Sequence, residues 1–167
     1  MGTGWAGESR SAQPLPFTSA TAMKNILVAT DFSNHANQAI EKAADLARGL
    51  GAKLWLVHVA APEPDFVGYK TGPQSVRDHL AHQLRKEHTD LQAMAARING
   101  AGAECEALLV QGPTAETIVS EAKRLHVDMV VMGSHGHGAL FRAIVGSVCE
   151  QVIGLGQCTV MVVPADR

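Results

Sequence analysis

Asp128-Met129-Val130-Val131-Met132-Gly133-Ser134-His135-Gly136-His137-Gly138 is the stretch that decides the fold. A short, unbroken apolar run stops abruptly at a glycine. Such runs fit a strand covered on both faces, as in a parallel sheet. Gly136 and Gly138 then permit a loop whose amide N–H groups converge on an anion. Further on, Gly146-Ser147 opens a helix, and the unpaired N–H groups and positive dipole end of a helix start favour phosphate. Ser147 and Glu150 have capping-box spacing, which predicts a hydroxyl that accepts from the Glu150 backbone and can donate its own proton to an anion.

The same alternation extends outward in both directions. Ile26-Leu27-Val28-Ala29 is a second short apolar run, ending at Thr30-Asp31. Ser33 is placed to cap the next helix, in which Ala36, Ile40, Ala43, Ala47 and Leu50 recur at helical spacing before Gly51 stops it. Leu54 to Val59 reads as a strand, and Ala60 to Gln74, rich in proline and glycine, as a loop. Val76, Leu80, Leu84, Leu91, Met94 and Ile98 mark a long helix that Gly100 and Gly102 end. Cys105 to Val110 is a more polar strand, expected near a sheet edge. Gly112-Pro113-Thr114 starts a helix that turns Ala115, Ile118, Val119, Ala122 and Leu125 inward, and Thr159 to Val163 is a final strand. Strands alternating with helices predict one α/β domain, a parallel sheet with right-handed crossovers and helices on both faces. Ligands of such sheets sit beyond the carboxyl ends of the strands, where strand order reverses. That rule singles out Asp31, Ala60, Gly112 and the segment Gly133 to Gly138.

Composition narrows the function. The chain has 167 residues, of which 46% are apolar and 18% charged, as in an ordinary globular domain that buries its own core. A formal charge of −2 lacks the basic excess needed to grip a phosphate backbone, so nucleic acid is not the expected partner. Cys105, Cys149 and Cys158 show no paired spacing, and buried thiols in a reducing, cytoplasmic setting are expected. No apolar run approaches the roughly 18 residues of a membrane span. Residues 1–22 are rich in Gly, Ser, Ala, Thr and Pro and read as a flexible extension, with the folded domain expected over residues 23–167. Met1-Gly2 opens like a myristoylation signal, but Ala6 stands where Ser or Thr belongs.

Gly133-x2-Gly136-x9-Gly146-Ser147 matches the G-x2-G-x9-G-S/T signature of the ATP-binding universal stress proteins, and from Met23 to about Pro164 the chain resembles that family. The opening Ile26-Leu-Val-Ala-Thr-Asp-Phe-Ser33, the strand end at His58-Val59 and the closing Val160-Met-Val-Val-Pro164 belong to the same likeness. The resemblance implies an adenine nucleotide alpha hydrolase-like fold, with strand order 3-2-1-4-5 and ATP beside the first and fourth strands. It implies that Asp31 bonds the ribose or the adenine edge, that Val59 packs on the base, and that Met132 and Gly133 line the nucleoside. Gly136, Gly146, Ser147 and Val148 would donate to the phosphates, with His137 and Gly138 in the same loop and Ala29 and Thr30 beside the adenine. Ala29 departs from the family, which often has proline there. A magnesium or manganese ion would be held through the phosphates, and a homodimer would form through the last strand. The expected role is regulation of a stress response without catalysis. The alternative is a dimeric interaction module whose pocket is empty or takes another adenine nucleotide such as AMP.

Other chemistries fail on particular residues. Gly133-x4-Gly138 begins like a Walker loop, yet Ala139-Leu140 replace its Lys-Ser/Thr, and no lysine follows Lys123. Phe141 stands where a dinucleotide fingerprint needs its third glycine. His135 with His137, and His79 with His82, lack a local carboxylate or thiol to complete a metal set. Ser134 does not lie in a Gly-x-Ser-x-Gly nucleophile turn.

Overall fold

Each face of the sheet is built from alternate residues of the same strands. In the computed structural model, which describes residues 22–62, 74–134, 146–156 and 158–164, the strands are β1 (Asn25–Thr30), β2 (Lys53–Ala60), β3 (Cys105–Gln111), β4 (Met129–Gly133) and β5 (Thr159–Val163). They form one parallel sheet in the order β3-β2-β1-β4-β5. The helices are α1 (Asn34–Leu50), α2 (Gln74–Gly100), α3 (Thr114–Arg124) and α4 (Ser147–Leu155). Ile26, Val28, Leu54, Leu56 and Val131 turn to one face and pack with α1 and α2; Leu27, Val57, Val130 and Met132 turn to the other, against α3 and α4. The two-residue repeat of a strand thus feeds two cores at once, and the central strands carry no polar stripe.

Local chemistry sets the helix ends. The Ser33 side chain accepts from the Ala36 N–H at 3.2 Å and caps α1, and Gly51, at φ 64°, closes it with an N–H bond to Ala47 O. Ala36, Ala39, Ala43 and Ala47 form the buried stripe of α1, small enough to bring the helix close to the sheet. Leu50, expected inward from its spacing, is 51% exposed, because the stripe ends at Ala47 and the chain turns away at Gly51.

The periodicity of α2 also overstates its burial. Leu91, Ala95 and Ile98 are buried, whereas Leu80 and Leu84 are half-covered and Val76 is exposed. Length explains this. At about 1.5 Å per residue the 27 residues of α2 run for about 40 Å, while the 8 residues of β2 span only about 26 Å. The amino-terminal half of α2 therefore extends past the carboxyl ends of the strands. The third strand lies at an edge, as its polar content predicts, and α4 starts at Ser147. No helix of the described residues is long and apolar enough to cross a membrane.

Asp128 ties the two central strands together at their amino ends. Its Oδ2 accepts from the Lys24 N–H at 2.7 Å and the Asn25 N–H at 2.9 Å, and its own N–H donates to Asn25 O at 2.9 Å. The two backbone bonds, from Asn25 first and Lys24 next, hold the carboxyl below its ordinary value. A lowered folded value means stability that is present at neutral pH and lost as pH falls through that value. Asp128→Ala should cost about 0.5–1 kcal/mol at pH 7, at the low end for such bonds because the site is only half-buried. Urea titrations of both proteins should converge as the pH is lowered into the acid range.

Candidate functional site

The chain leaves β1 to build β2 and β3 on one side, then crosses back through α3 to place β4 on the other. Strand order reverses between β1 and β4, so a crevice opens where their carboxyl ends diverge. Thr30 and Asp31 stand at one side of it, Gly133 and Ser134 at the other, and the sequence-predicted edge is the observed one.

On the β1 side the backbone makes a tight turn into α1. Thr30 Oγ1 accepts from the Phe32 N–H at 3.1 Å, and Asp31 Oδ1 accepts from the Ser33 N–H at 3.0 Å. These are side-chain-to-backbone turns of the kind Asp and Thr favour. Phe32 pays the conformational cost, with φ at 61°, a region that bulky residues rarely adopt. Its ring lies 4.4 Å from that of His58, tilted by 47°. Ala29 and Val59 are half-buried on the α3/α4 face, where Val59 adds apolar wall beside the strand ends.

On the β4 side the backbone of the strand end meets the start of α4. The Ser134 N–H donates to Val163 O at 2.8 Å, and Ser134 O accepts from the Gly146 N–H at 2.7 Å. Cys149 Sγ donates to Gly133 O at 3.1 Å, which ties the first turn of the helix to the strand that precedes it. Burial pushes the Cys149 thiol up, so it stays protonated and able to donate. Met132 is buried and Gly133 half-buried at this junction.

The expected Ser147–Glu150 capping box is not formed. Gly146, at φ −72° and ψ 154°, is the N-cap, and no side chain caps the helix. Ser147 is the first helical residue, and the Glu150 N–H donates to Gly146 O at 3.0 Å instead. The frame is shifted by one because the strong Gly146–Ser134 bond fixes where the helix begins. The consequence favours an anion. The N–H groups of Ser147, Val148 and Cys149 have no intrahelical acceptor, and no described residue outside the helix accepts from them. They sit at the positive end of the α4 dipole.

Gly136, His137 and Gly138 lie outside the described residues, as do residues 1–21. The other sequence-predicted residues, Ala29, Thr30, Asp31, Val59, Met132, Gly133, Gly146, Ser147 and Val148, are gathered at the strand ends or the α4 start. Sequence reasoning missed Phe32, Glu87 and Cys149. Only Phe32 left a signal, as a bulky apolar residue between a strand-end carboxylate and a helix cap. A separate cleft of about 320 Å³ lies between α1 and α2, lined by Glu41, Asp45, Arg48 and Arg97 among others. It is on the helical face rather than at the strand ends, and its lining already pairs Arg48 with Asp45 at 2.6 Å.

A doubly wound parallel sheet, with a capless helix start and a strand-end carboxylate at its switch point, defines the class of α/β proteins that hold ligands at that edge. The chain belongs to the universal stress protein family, whose model matches residues 23–164. It is 36% identical over 140 residues to a universal stress protein of Thermus aquaticus, covering 84% of this chain and 98% of that one. The universal stress protein UspA from Lactobacillus plantarum shares the fold with a TM-score of 0.72 at 23% identity, over 86% of this chain and 99% of that one. A universal stress protein from Archaeoglobus fulgidus, solved in complex with dAMP, shares it with a TM-score of 0.59 at 24% identity, over 84% of this chain and 98% of that one.

The Ser33 cap holds the turn that presents Asp31. Ser33→Ala should cost about 1 kcal/mol, which for a chain of this size lowers the thermal midpoint by about 2–4 °C. Differential scanning calorimetry checks it.

Proposed function

We propose that the chain binds ATP at the carboxyl ends of β1 and β4 and acts as a regulator whose output is the liganded state, in the cytoplasm. The observation that carries this reading is the first turn of α4, whose N–H groups have no acceptor among the described residues. Three backbone N–H donors at the positive end of a helix dipole, locked to β4 through Gly146 and Cys149, suit a phosphate chain. The donors are backbone groups, so they cost no side-chain entropy to position.

The residues divide the ligand between them. Asp31 accepts from ribose hydroxyls or the adenine edge, with Ala29, Thr30 and Val59 forming the wall beside the base. Met132 and Gly133 line the nucleoside. Ser147, Val148 and Cys149 donate to the phosphates, and Gly136, His137 and Gly138 complete the cradle; Gly146, expected as a further donor, instead gives its N–H to Ser134 O and sets where the helix starts. Magnesium or manganese enters with the phosphates and neutralises part of their charge. The dAMP held by the Archaeoglobus fulgidus protein supports an adenine nucleotide on this fold. The absence of any lysine after Lys123 in the sequence supports binding over phosphoryl transfer, which ordinarily uses such a charge.

A specific observation favours homodimerisation as part of the output. β5 is an edge strand, and Val160, Met161 and Val162 are only half-covered. Such an edge invites pairing with a second copy. Val162 belongs to neither buried core, so Val162→Asp should convert dimer to monomer in sedimentation velocity while leaving the thermal midpoint of the subunit within a few degrees.

Two measurements test the nucleotide. Mg-ATP at about a hundred times its dissociation constant should add about 2.7 kcal/mol, a midpoint rise of roughly 5–10 °C. Ser147→Pro is the sharper variant. Proline is tolerated at the first helical position, and the extended Gly146 before it is compatible with proline, yet the substitution removes one N–H and the hydroxyl. It should fold normally and lose most of the ATP-induced rise. An unmoved midpoint in the parent protein sinks the ATP reading.

A further inference from the structure

We propose that His58 and Glu87 hold one proton between them and act as a positioning pair for the turn that presents Asp31. For its effect on nucleotide the proposal rests on the ATP reading above; its chemistry stands on the geometry alone.

The tautomer of His58 follows from its partners. Its Nδ1 lies 2.8 Å from Thr30 O, and a carbonyl oxygen only accepts, so Nδ1 carries a proton. The opposite nitrogen, Nε2, faces Glu87 Oε2 at 3.6 Å. Glu87 is anchored in that pose from its other oxygen, because Oε1 accepts from Gln83 Nε2 at 2.9 Å, one turn earlier on α2. Oε2 is buried and has no hydrogen-bond partner among the described residues. With Nδ1–H committed to Thr30, a bare Nε2 would set a lone pair against a bare, buried carboxylate oxygen. A proton between them removes that conflict and satisfies the orphaned oxygen, with the pair closing by a few tenths of an ångström.

Among the described residues, the groups named around the pair are apolar, already bonded or exposed. β1 contributes the Thr30 carbonyl, the turn after it the Phe32 ring, and β3 sets the apolar Leu109 opposite His58 in the ladder. Asp31 turns its Oδ1 to the Ser33 N–H. On α2, Lys86 pairs with Asp90 and His88 is exposed.

The pair grips the site at two points. His58 holds the Thr30 carbonyl, one residue before Asp31, and its ring lies against Phe32, one residue after. Phe32 is the residue kept in an unfavourable left-handed conformation, so a contact that holds its ring also holds the turn. Glu87 lies where α2 passes the end of β2, so the overhanging half of that helix is tied to the Asp31 turn through one imidazole.

The test uses the full chain labelled with ¹⁵N-histidine, and Glu87→Gln and Glu87→Leu beside the parent. Gln carries its own N–H to offer to Nε2, so it replaces the shared proton; Leu replaces nothing. Ring-nitrogen NMR without nucleotide should find Nδ1 protonated in the parent and in Glu87→Gln, with Nε2 protonated or sharing its proton in the parent alone at neutral pH. An Nε2–H tautomer, or an Nε2 bare in the parent as in Glu87→Gln, overturns the pair whatever ATP does. Titration calorimetry with Mg-ATP at pH 7 should then show Glu87→Gln binding like the parent, and Glu87→Leu binding roughly tenfold more weakly. Equal affinity of the parent and Glu87→Leu, or a Glu87→Gln as weak as Glu87→Leu, overturns the positioning role. If no protein binds ATP, the nucleotide reading fails, the positioning role falls with it, and the ring spectra still decide the proton.

Discussion

Everything in this fold depends on β1 being enclosed on all four sides. Its edges pair with β2 and β4, and its faces are closed by α1 and α2 through Ile26 and Val28 and by α3 and α4 through Leu27. A strand so enclosed must be apolar throughout, and the chain must pass from one side of it to the other to pair both edges. That crossing makes the topological switch. The crevice at the ends of β1 and β4 is therefore a by-product of burying the central strand, not a feature added to it. Asp128, which bonds the amino ends of the same two strands, closes the opposite edge.

The crevice owes its chemistry to main-chain groups more than to side chains. α4 begins without a side-chain cap because the Gly146 N–H is spent on Ser134 O, and a glycine has no oxygen of its own to turn back on the helix. Three donors are left without an acceptor among the described residues. Cys149 acts from the same first turn, where its thiol holds Gly133 O and keeps the helix start against the strand. A site made this way tolerates many side chains around it while demanding small residues at the points of backbone approach, which fits a family signature made of glycines and one hydroxyl.

The β1 side is the opposite case, an arrangement held by side chains under strain. Phe32 adopts a conformation that local sequence disfavours, and three neighbours hold it: Thr30 through its hydroxyl, Ser33 through the helix cap and His58 through its ring. His58 in turn reaches Glu87 on α2. The overhang of that helix, wasteful as core packing, thereby gains a connection to the site. Local strain fixed by distant contacts is common where a backbone must present a functional group.

Period and punctuation in the sequence were enough for the strands, the α1 cap at Ser33, the stop at Gly51 and the glycine-bounded edge, because each is a short-range choice of a few neighbouring residues. The family signature added the strand order, which no local pattern encodes. Tertiary structure alone decided three things. The helical spacing of Val76, Leu80 and Leu84 is real, but whether a stripe is buried depends on the length of the sheet beneath it. The capping box at Ser147 and Glu150 has the right letters, but a bond from Gly146 to Ser134, just past β4 and twelve positions away, moves the helix start by one. The partnership of His58 and Glu87 joins residues 29 positions apart on different elements, and it exists only because α2 passes over the end of β2. Local sequence selects conformations of a few residues at a time; which side chains then meet is settled by how the layers pack.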